Sequence, residues 1–397
     1  MDKVHWLLPE GIDEVVPPQA AQLESLRRRL LDLYHSWGYD LVMPPFIEFL
    51  DSLLMGSGAD IDLKTFKIID QVSGRLLGLR PDMTTQVARI DAHHLENDAP
   101  SRLCYMGTVL HAKPDAFGGT RAPLQIGAEL YGHSGFQSDV EVISLMLETF
   151  ASAGVENISL DLGHVGIFKG LAVEAQLDGH QEAILFDALQ RKAVPEIKQN
   201  LKDFSVEDSL SIRILALSEL NGADVIDHSR KVLQGSSEAV MQAIDHIEQV
   251  ADLVRNQYPE LPLHYDLAEL RGYNFHTGVV FSAFVPGSGV EIARGGRYDN
   301  LGSEFGRSRA ATGFSTDLKV LMQYSLKTEM SNRESIFAPF SAADDSQQLA
   351  LDNKVSELRA QGGRVIIQLP GQLGTAQEQG CVSQLVFENE QWVVKPL

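Results

Sequence analysis

Apolar residues near the amino terminus recur every three or four positions, which is the spacing of one face of an α-helix. The positions are Leu23, Leu26, Leu30, Leu33 and Trp37. Gly38 follows directly, and glycine often ends a helix because it adopts positive φ without strain. The pattern therefore predicts an amphipathic helix that ends near Gly38.

Short apolar runs separated by turn residues then predict strands. The segment YDLVMPPFIEF is typical of a short strand halted by its two prolines, since proline cannot donate a hydrogen bond to a neighbouring strand. Residues 62–80 predict a hairpin with Ser73 and Gly74 at its turn. A helix is expected after Pro81.

Two further strands are predicted over residues 103–110 and 124–131, joined by a loop rich in glycine and proline. Ser138 and Glu141 have the spacing of a capping box at the start of the next helix. That helix should end before Gly154, and the segment ISLDLG after it predicts one more strand.

The pattern changes at about residue 165. Residues 165–260 contain periodic leucines and no convincing strand, so a helical insertion is expected there. Strands return over 265–270 and in the run GVVFSAFV, and ATGFSTDLKVL, residues 311–321, predicts a glycine turn that leads into a helix. Because hairpins are frequent and βαβ units few, the predicted fold class is α+β, with a mostly antiparallel sheet flanked by helices.

The chain is long enough for two domains. Its 397 residues exceed what one core usually organises, and we expect a large domain over residues 1–330 and a small α/β segment over residues 331–397. The tail predicts one acidic helix, a strand at RVIIQL and a hairpin around Asn389 and Glu390. So few elements should not form an independent core of any size.

Composition narrows the class of protein. The chain is 44% hydrophobic and 22% charged, as globular proteins are. Its net charge of -21 opposes nucleic-acid binding. The amino terminus has no apolar run suited to a signal peptide or a membrane span, so a cytoplasmic protein without membrane contact is expected. Cys104 and Cys381 lack metal-ligand spacing, and we expect reduced thiols, no metal and no cofactor.

Two polar segments at strand ends carry candidate binding residues. LRPDMTT offers Asp82 and Thr84, which could equally satisfy the free N–H groups of a helix start. In LQIGAELYG, strand alternation puts Gln125, Gly127 and Glu129 on one side. The glycine would leave a gap between an amide and a carboxylate, although a solvated face would show the same pattern.

A third polar segment, ELRGYNFHTG, places Arg271 and His276 next to glycines. An arginine can hold a carboxylate with two parallel hydrogen bonds, whereas a single histidine is more often a satisfied polar residue than a ligand-binding group. Together the three segments supply an acceptor for an ammonium group, a guanidinium group for a carboxylate and polar groups for a side chain. They predict a site for a free amino acid or another small zwitterion.

Five segments, in order, resemble the motifs of class II aminoacyl-tRNA synthetases, and of histidyl-tRNA synthetase in particular, over about residues 5–325. GYDLVMPPFIE resembles the dimer-forming first motif, and LRPDMTTQVAR resembles the Leu-Arg-Pro-Glu-Gly-Thr amino-acid loop. CYMGTVLHAKPD with LQIGAELYG resembles the second motif. ELRGYNFHTGVVF with ARGGRYDNL is similar to the histidine-specific segments, and ATGFSTDLKVL to the third motif.

The resemblance implies a pocket for L-histidine. The residues that it assigns to this pocket are Asp82, Thr84, Gln125, Glu129, Arg271, Tyr273 and His276. The first three would hold the α-ammonium group and Arg271 the carboxylate, while Glu129, assisted by Tyr273 or His276, would hold the imidazole.

The positions that bind ATP in the synthetases differ in this chain. His111 and Lys113 stand where the second motif carries an arginine and an acidic residue, and Val320 stands at the arginine of the third motif. Each lost arginine removes charge-assisted bonds worth roughly 1.5–3 kcal/mol. Asp317 adds a negative charge where the triphosphate would lie, so adenylate formation is expected to be lost. Strand alternation predicts Lys113 on the same face as His111, as a partial substitute, whereas Lys319 should point away from the pocket.

The tail is shorter and more acidic than the anticodon-binding domain of histidyl-tRNA synthetases. In this respect the chain resembles the regulatory subunits of ATP phosphoribosyltransferase, a family of synthetase paralogues. That resemblance implies a non-catalytic partner of the short-form catalytic subunit in the first step of histidine biosynthesis, with feedback inhibition by histidine. It also implies a homodimer through the first-motif segment. An active synthetase, a related ligase and a scaffold with an unused pocket are the alternatives.

Overall fold

The computed structural model describes residues 7–56, 59–95, 98–114, 119–268, 272–273, 275–287, 289, 291–326, 335–340 and 345–397. The chain divides into two compact units, residues 1–327 and 328–397.

The strands of the first unit are β1 (Asp40–Leu41), β2 (Ile47–Phe49), β3 (Phe66–Ile69), β4 (Leu76–Leu79), β5 (Ser101–Thr108), β6 (Leu124–Tyr131), β7 (Ser159–His164), β8 (Asn221–Gly222), β9 (Leu263–Asp266), β10 (Val279–Phe284), β11 (Glu291–Arg297) and β12 (Ala311–Asp317). Its helices are α1 (Gln19–Ser36), α2 (Leu50–Leu53), α3 (Ala59–Lys64), α4 (Thr84–Ile90), α5 (Phe136–Ala153), α6 (Val165–Glu174), α7 (Gly179–Gln190), α8 (Val194–Asp203), α9 (Asp208–Ala216), α10 (Val225–Val232), α11 (Glu238–Gln257), α12 (Leu301–Glu304) and α13 (Leu318–Tyr324). A π-helical turn, Asp91–Leu95, continues α4.

Nine of these strands form one sheet in the order β1-β5-β6-β12-β11-β10-β7-β9-β8. Neighbouring strands run antiparallel except β1 with β5 and β7 with β9. On β6, Ile126, Ala128 and Leu130 join α1 and α5 in the main apolar core. Gln125, Gly127 and Glu129 alternate with these residues, as strand geometry requires. The predicted α+β class with a mostly antiparallel sheet is confirmed.

The amino-terminal elements follow the sequence pattern. Helix α1 ends as predicted near Gly38, whose φ is 80°. Strands β3 and β4 form the predicted antiparallel hairpin, with Gly74 at φ 71° in its turn. The prolines of YDLVMPPFIEF separate β1 from β2, and β2 joins β4 and β3 in a separate three-stranded sheet.

The helical insertion predicted over residues 165–260 is present as α6–α11. It is not purely helical, because the two-residue strand β8 pairs with β9 at the edge of the large sheet. Helix α11 packs on α5 and α6, and its buried side chains Val240, Ile244 and Ile247 join the main core.

The prediction of a glycine turn at ATGFSTD is wrong, because these residues form strand β12 in the middle of the sheet. Gly313 is flanked in register by Glu129 on β6 and Gly296 on β11. A Cβ atom on Gly313 would lie 1.5 Å from Oε2 of Glu129. The glycine therefore gives room to a side chain and does not mark a turn.

The predicted capping box is also wrong. Helix α5 begins after Gly135, and the hydroxyl of Ser138 donates to the backbone oxygens of Gly135 and His133 and does not cap the helix. The Glu141 carboxylate accepts from Arg102 on β5, at 2.6 Å and 2.8 Å, and cannot serve the helix terminus. The predicted end of the helix at Gly154 is correct, since the backbone of that glycine adopts the left-handed conformation that ends helices.

The second unit contains strands β13 (Ser335–Ala338), β14 (Arg364–Ile367), β15 (Ser383–Glu388) and β16 (Gln391–Pro396), with helix α14 (Asp345–Ala360). Strands β14 and β15 both pair in parallel with β13, and β15 and β16 form the predicted hairpin around Asn389 and Glu390. The expectation that the tail lacks a core is wrong. Ile336, Leu351 and Trp392 belong to a buried apolar cluster formed within this unit.

Candidate functional site

A carboxyl group lies at the centre of the large sheet, on the face that alternates away from the main core. Glu129 of β6 is 1% exposed. Its Oε1 accepts a hydrogen bond from the Tyr105 hydroxyl at 2.9 Å, and its Oε2 accepts one from the Tyr298 hydroxyl at 2.5 Å. Burial raises the pKa of Glu129 to about 8, although the two hydroxyls lower it. Near neutral pH the group can therefore either accept a proton from a ligand or donate one.

The glycine expected to leave a gap beside Glu129 makes room for an aromatic ring. A Cβ atom on Gly127 would lie 2.4 Å from the Tyr105 hydroxyl. Glycine at this position therefore lets Tyr105, which is fully buried on the neighbouring strand β5, reach Glu129. The Tyr298 hydroxyl also contacts that of Tyr131, at 3.2 Å.

Asp82, Thr84 and Gln125 come together next to this carboxyl group. The Gln125 amide donates to Oδ2 of Asp82 at 2.5 Å and accepts from the Met83 N–H at 3.1 Å. Asp82 also accepts the Thr84 N–H at 2.7 Å, so the alternative role at a helix start is present as well. The Thr84 hydroxyl lies 3.2 Å from that of Tyr105, which makes this polar cluster continuous with Glu129.

His276 is half-buried in a turn beside the sheet. Its Nδ1 is 3.3 Å from the backbone oxygen of Arg297, which can only accept, so Nδ1 carries the proton and Nε2 is the acceptor. Burial lowers the pKa of His276 to about 4. Its neighbour Phe275 stacks on Tyr298 with 4.8 Å between ring centroids, which connects the turn to Glu129.

Tyr273, another residue of the predicted pocket, contacts the helical insertion. The Tyr273 hydroxyl donates to Glu182 of α7, so this hydroxyl is engaged with the helical insertion. Arg271, the predicted carboxylate ligand, lies outside the described residues.

The expectation that His111 and Lys113 share one face of a strand is wrong, because β5 ends at Thr108. His111 is buried, and its Nε2 lies 2.9 Å from the Pro81 backbone oxygen. Lys113 lies in an exposed bend. Without a strand the two-residue alternation does not apply, and the two side chains have different environments.

Asp317 caps a helix. Its Oδ1 accepts the N–H groups of Lys319 at 2.9 Å and of Leu124 at 3.0 Å, and burial raises its pKa. Lys319 donates to Asp13 and to the Ala122 backbone oxygen. Val320 packs against the main apolar core.

Tyr105 and Tyr298 are site residues that sequence reasoning missed. Tyr105 lies two residues before Gly107 in CYMGTVL, and Tyr298 follows ARGGR. Tyr105 is paired in register with Gly127 on the neighbouring strand. A glycine opposite an aromatic residue on paired strands is the signal that could have identified Tyr105. Tyr298 lies 169 residues from Glu129 in the chain, so only the fold brings the two together.

Further classes of site were sought among the described residues. No group of three or more His, Cys, Asp or Glu side chains in that part of the chain is placed to hold a metal ion. No described helix combines the length and the apolar character that crossing a membrane requires. Cys104 and Cys381 are free and buried, as expected.

Comparison with known proteins gives two family matches that together span most of the chain. Residues 11–321 match the family described as histidyl-tRNA synthetase. Residues 333–395 match the family described as ATP phosphoribosyltransferase subunit HisZ C-terminal domain.

Full-length relatives are similar throughout. The ATP phosphoribosyltransferase regulatory subunit of Thioalkalivibrio sulfidiphilus is 56% identical over 398 residues, covering 100% of both chains. That of Stutzerimonas stutzeri is 54% identical over 395 residues, covering 99% of this chain and 98% of its own.

Solved structures share the fold. A crystal structure of an ATP phosphoribosyltransferase regulatory subunit/histidyl-tRNA synthetase from Bacillus halodurans C has a TM-score of 0.82 at 26% identity, covering 94% of this chain and 96% of that one. Histidyl-tRNA synthetase from Nostoc sp. PCC 7120 has a TM-score of 0.77 at 20% identity, covering 98% and 94% of the two chains. The predicted class II synthetase-like fold is thereby confirmed.

Proposed function

Because this chain belongs to the family of ATP phosphoribosyltransferase regulatory subunits, which serve histidine biosynthesis, we propose that it binds L-histidine beside Glu129 and regulates a short-form catalytic subunit. The catalytic subunit would catalyse the phosphoribosyl transfer, and histidine bound to this chain would lower the activity of the catalytic subunit.

The observation that carries the proposal is the buried Glu129 carboxyl group with its two tyrosine donors. A neutral imidazole ring has one N–H donor and one nitrogen acceptor, so the Glu129 carboxyl group can bind it in either protonation state, and burial strengthens such a bond. Asp82, 2.5 Å from the Gln125 amide, offers a second carboxylate for an α-ammonium group. Two carboxylates in one polar cluster favour a ligand with two separate donor groups, which L-histidine has.

The residues at the former ATP positions support a regulatory role over an adenylating one. Val320 is apolar and packs against the core, and His111 is buried against a backbone oxygen. Neither can supply the planar, permanently charged fork with which arginine binds a phosphate. An active synthetase or a related ligase needs that charge at its transition state.

A homodimer through the first-motif segment is part of the proposal. The three-stranded sheet β2-β4-β3 exposes apolar side chains at Ile47, Ile68, Ile69 and Leu76. Ile69 and Leu76 are register partners and therefore share one face of this sheet, and exposed apolar surface is typical of a protein–protein interface. A second copy of the chain would bury it.

Calorimetry with L-histidine and the full chain tests the proposed ligand. One site per chain is expected, with binding lost when the ligand is L-histidinol, which lacks the carboxylate. Absence of heat with L-histidine over a wide concentration range would refute the proposal. A histidine-dependent pyrophosphate exchange assay tests the competing activity, and robust exchange would show an active synthetase.

A further inference from the structure

Tyr273 connects the pocket turn to the helical insertion. Its hydroxyl donates a hydrogen bond to Glu182 of α7. Its ring lies between Phe168 of α6 and Phe186 of α7, with centroid separations of 5.5 Å and 4.9 Å. The side chain is 4% exposed. A residue of the pocket turn is therefore buried among two helices of the insertion.

A second contact fastens the same turn to α6. The Lys169 ammonium group donates to the backbone oxygen of His276 at 2.7 Å. It also lies 4.8 Å from the centroid of the Tyr273 ring, within the range of a cation–π interaction. Lys169 and Glu182 thus place a positive and a negative group on one tyrosine, from two different helices.

Two backbone hydrogen bonds close the turn between Gly272 and His276. The Gly272 backbone oxygen accepts the N–H groups of both Phe275 and His276 at 2.8 Å. Gly272 has a φ of 70°, and a Cβ atom there would lie 2.7 Å from the His276 ring. A side chain at this position would open the turn, so glycine keeps the residues on its two sides in fixed relation.

The other side of the turn reaches the carboxyl group of the pocket. Phe275 stacks on Tyr298, with a ring-centroid distance of 4.8 Å, and Tyr298 donates to Glu129. A ligand that binds Glu129 would add a contact to a carboxyl group that already accepts from Tyr105 and Tyr298. A shift of the Tyr298 ring on binding would reach Phe275 through the stacked rings, and Tyr273 through the hydrogen-bonded turn.

We propose that the Tyr273–Glu182 hydrogen bond transmits ligand occupancy of the Glu129 pocket to α6 and α7. The helical insertion is then the part of the chain that changes when histidine binds. This inference rests on the proposed function, because it takes histidine as the ligand. Glu182 is a positioning residue, since it contacts the turn and not the ligand. The coupling requires that histidine bind the two positions of the turn with different affinity.

Hydrogen exchange of the full chain, with and without L-histidine, tests the transmission. In the unaltered chain, histidine should slow exchange in β6 and α4 beside the pocket and also in α6 and α7. In Glu182→Leu, which removes the acceptor of the Tyr273 hydroxyl, the slowing in α6 and α7 should be lost, while that in β6 and α4 and the calorimetric Kd stay within threefold. Persistence of full protection in α6 and α7 would overturn the inference.

Glu174→Leu is the matched control. Glu174 is a half-buried carboxylate of the same insertion, which accepts the Ser237 N–H at 2.7 Å and pairs with Arg213 at 3.3 Å, both within the insertion. Its replacement should leave the histidine-induced protection of α6 and α7 unchanged. Loss of that protection in both variants would indicate a general loosening of the insertion and would overturn the specific role of Glu182.

Histidine inhibition of the reconstituted complex tests this inference separately from the proposed function. Half-inhibition of the catalytic subunit should require at least fivefold more histidine with Glu182→Leu and the same concentration with Glu174→Leu. Unchanged inhibition with Glu182→Leu would overturn the inference alone. Failure of the unaltered chain to bind histidine would overturn both.

Discussion

At the scale of single residues, the pocket depends on one buried carboxyl group and the small residues that make room for it. Glu129 accepts hydrogen bonds on both oxygens from tyrosines of β5 and of the segment after β11. Gly313 lies beside it in register, and Gly127 lets Tyr105 approach. The two glycines make room for the Glu129 side chain and for Tyr105, and the two tyrosines hold the carboxyl group in position.

Gly313→Ala should therefore damage the pocket directly. The new methyl group would lie 1.5 Å from Oε2 of Glu129, and overpacking of this kind typically costs about 1–3 kcal/mol. Urea unfolding should show the loss of stability, and calorimetry should show histidine binding weakened at least tenfold. Gly179→Ala is the control, because nothing lies within 4 Å of a Cβ atom there. Wild-type affinity in Gly313→Ala would place the ligand elsewhere.

Arg271→Ala should weaken histidine binding at least tenfold, as the resemblance to the synthetases implies. Loss of the arginine would leave the ligand carboxylate without its ionic partner, at a cost of roughly 2 kcal/mol or more. Calorimetry of Arg271→Ala against Arg271→Lys, which keeps the charge and loses the fork, measures the effect. Unchanged affinity in both variants would contradict the assignment.

At the scale of elements, alternation and turn residues predicted the helices and hairpins whose signals lie within one segment. The elements that were predicted wrongly or not at all have physical explanations. EIARGGR lacks apolar alternation, yet it is a central strand. Its glycine allows the neighbouring strand to approach closely, since a Cβ atom on Gly295 would lie 2.3 Å from the Gly313 backbone oxygen. The expected capping box failed because Arg102, from another strand, binds Glu141. Contacts between distant segments, such as Tyr298 with Glu129, leave no local pattern.

A histidine at the start of α6 predicts a pH effect on stability. Burial lowers the pKa of His164 to about 3, from a usual 6.5. The unfolded chain therefore takes up this proton first, so the stability that His164 contributes is complete above pH 6.5 and is lost progressively towards pH 3. The ring faces His246, with Asp139, Arg297 and Lys169 the nearby charged groups.

His164→Asn isolates this effect, because asparagine can still accept the Gly166 N–H but does not titrate. Between pH 6.5 and pH 5 the wild type should lose more unfolding free energy than the variant, by up to about 1.4 kcal/mol per pH unit. Urea unfolding at the two pH values measures the difference. Equal losses would show that His164 is protonated in the folded chain.

At the scale of the whole molecule, the chain combines a synthetase-like fold with a C-terminal unit that matches another family. Residues 11–321 match the synthetase family, whereas residues 333–395 match the regulatory subunit family. The sequence predicted the fold class from five motifs in order, and the family from the residues at the ATP positions and the short acidic tail. It underestimated the C-terminal unit, whose core depends on a β-strand, Ser335–Ala338, that the pattern did not reveal.

The most direct test of the central claim is histidine inhibition of the reconstituted complex with the unaltered chain and with Glu129→Gln. The unaltered chain should raise the turnover of the short-form catalytic subunit, and histidine should reverse that increase. With Glu129→Gln, the histidine concentration for half-inhibition should rise at least tenfold, because a neutral amide that also donates replaces the buried carboxyl group. Equal sensitivity of the two complexes to histidine would contradict the account.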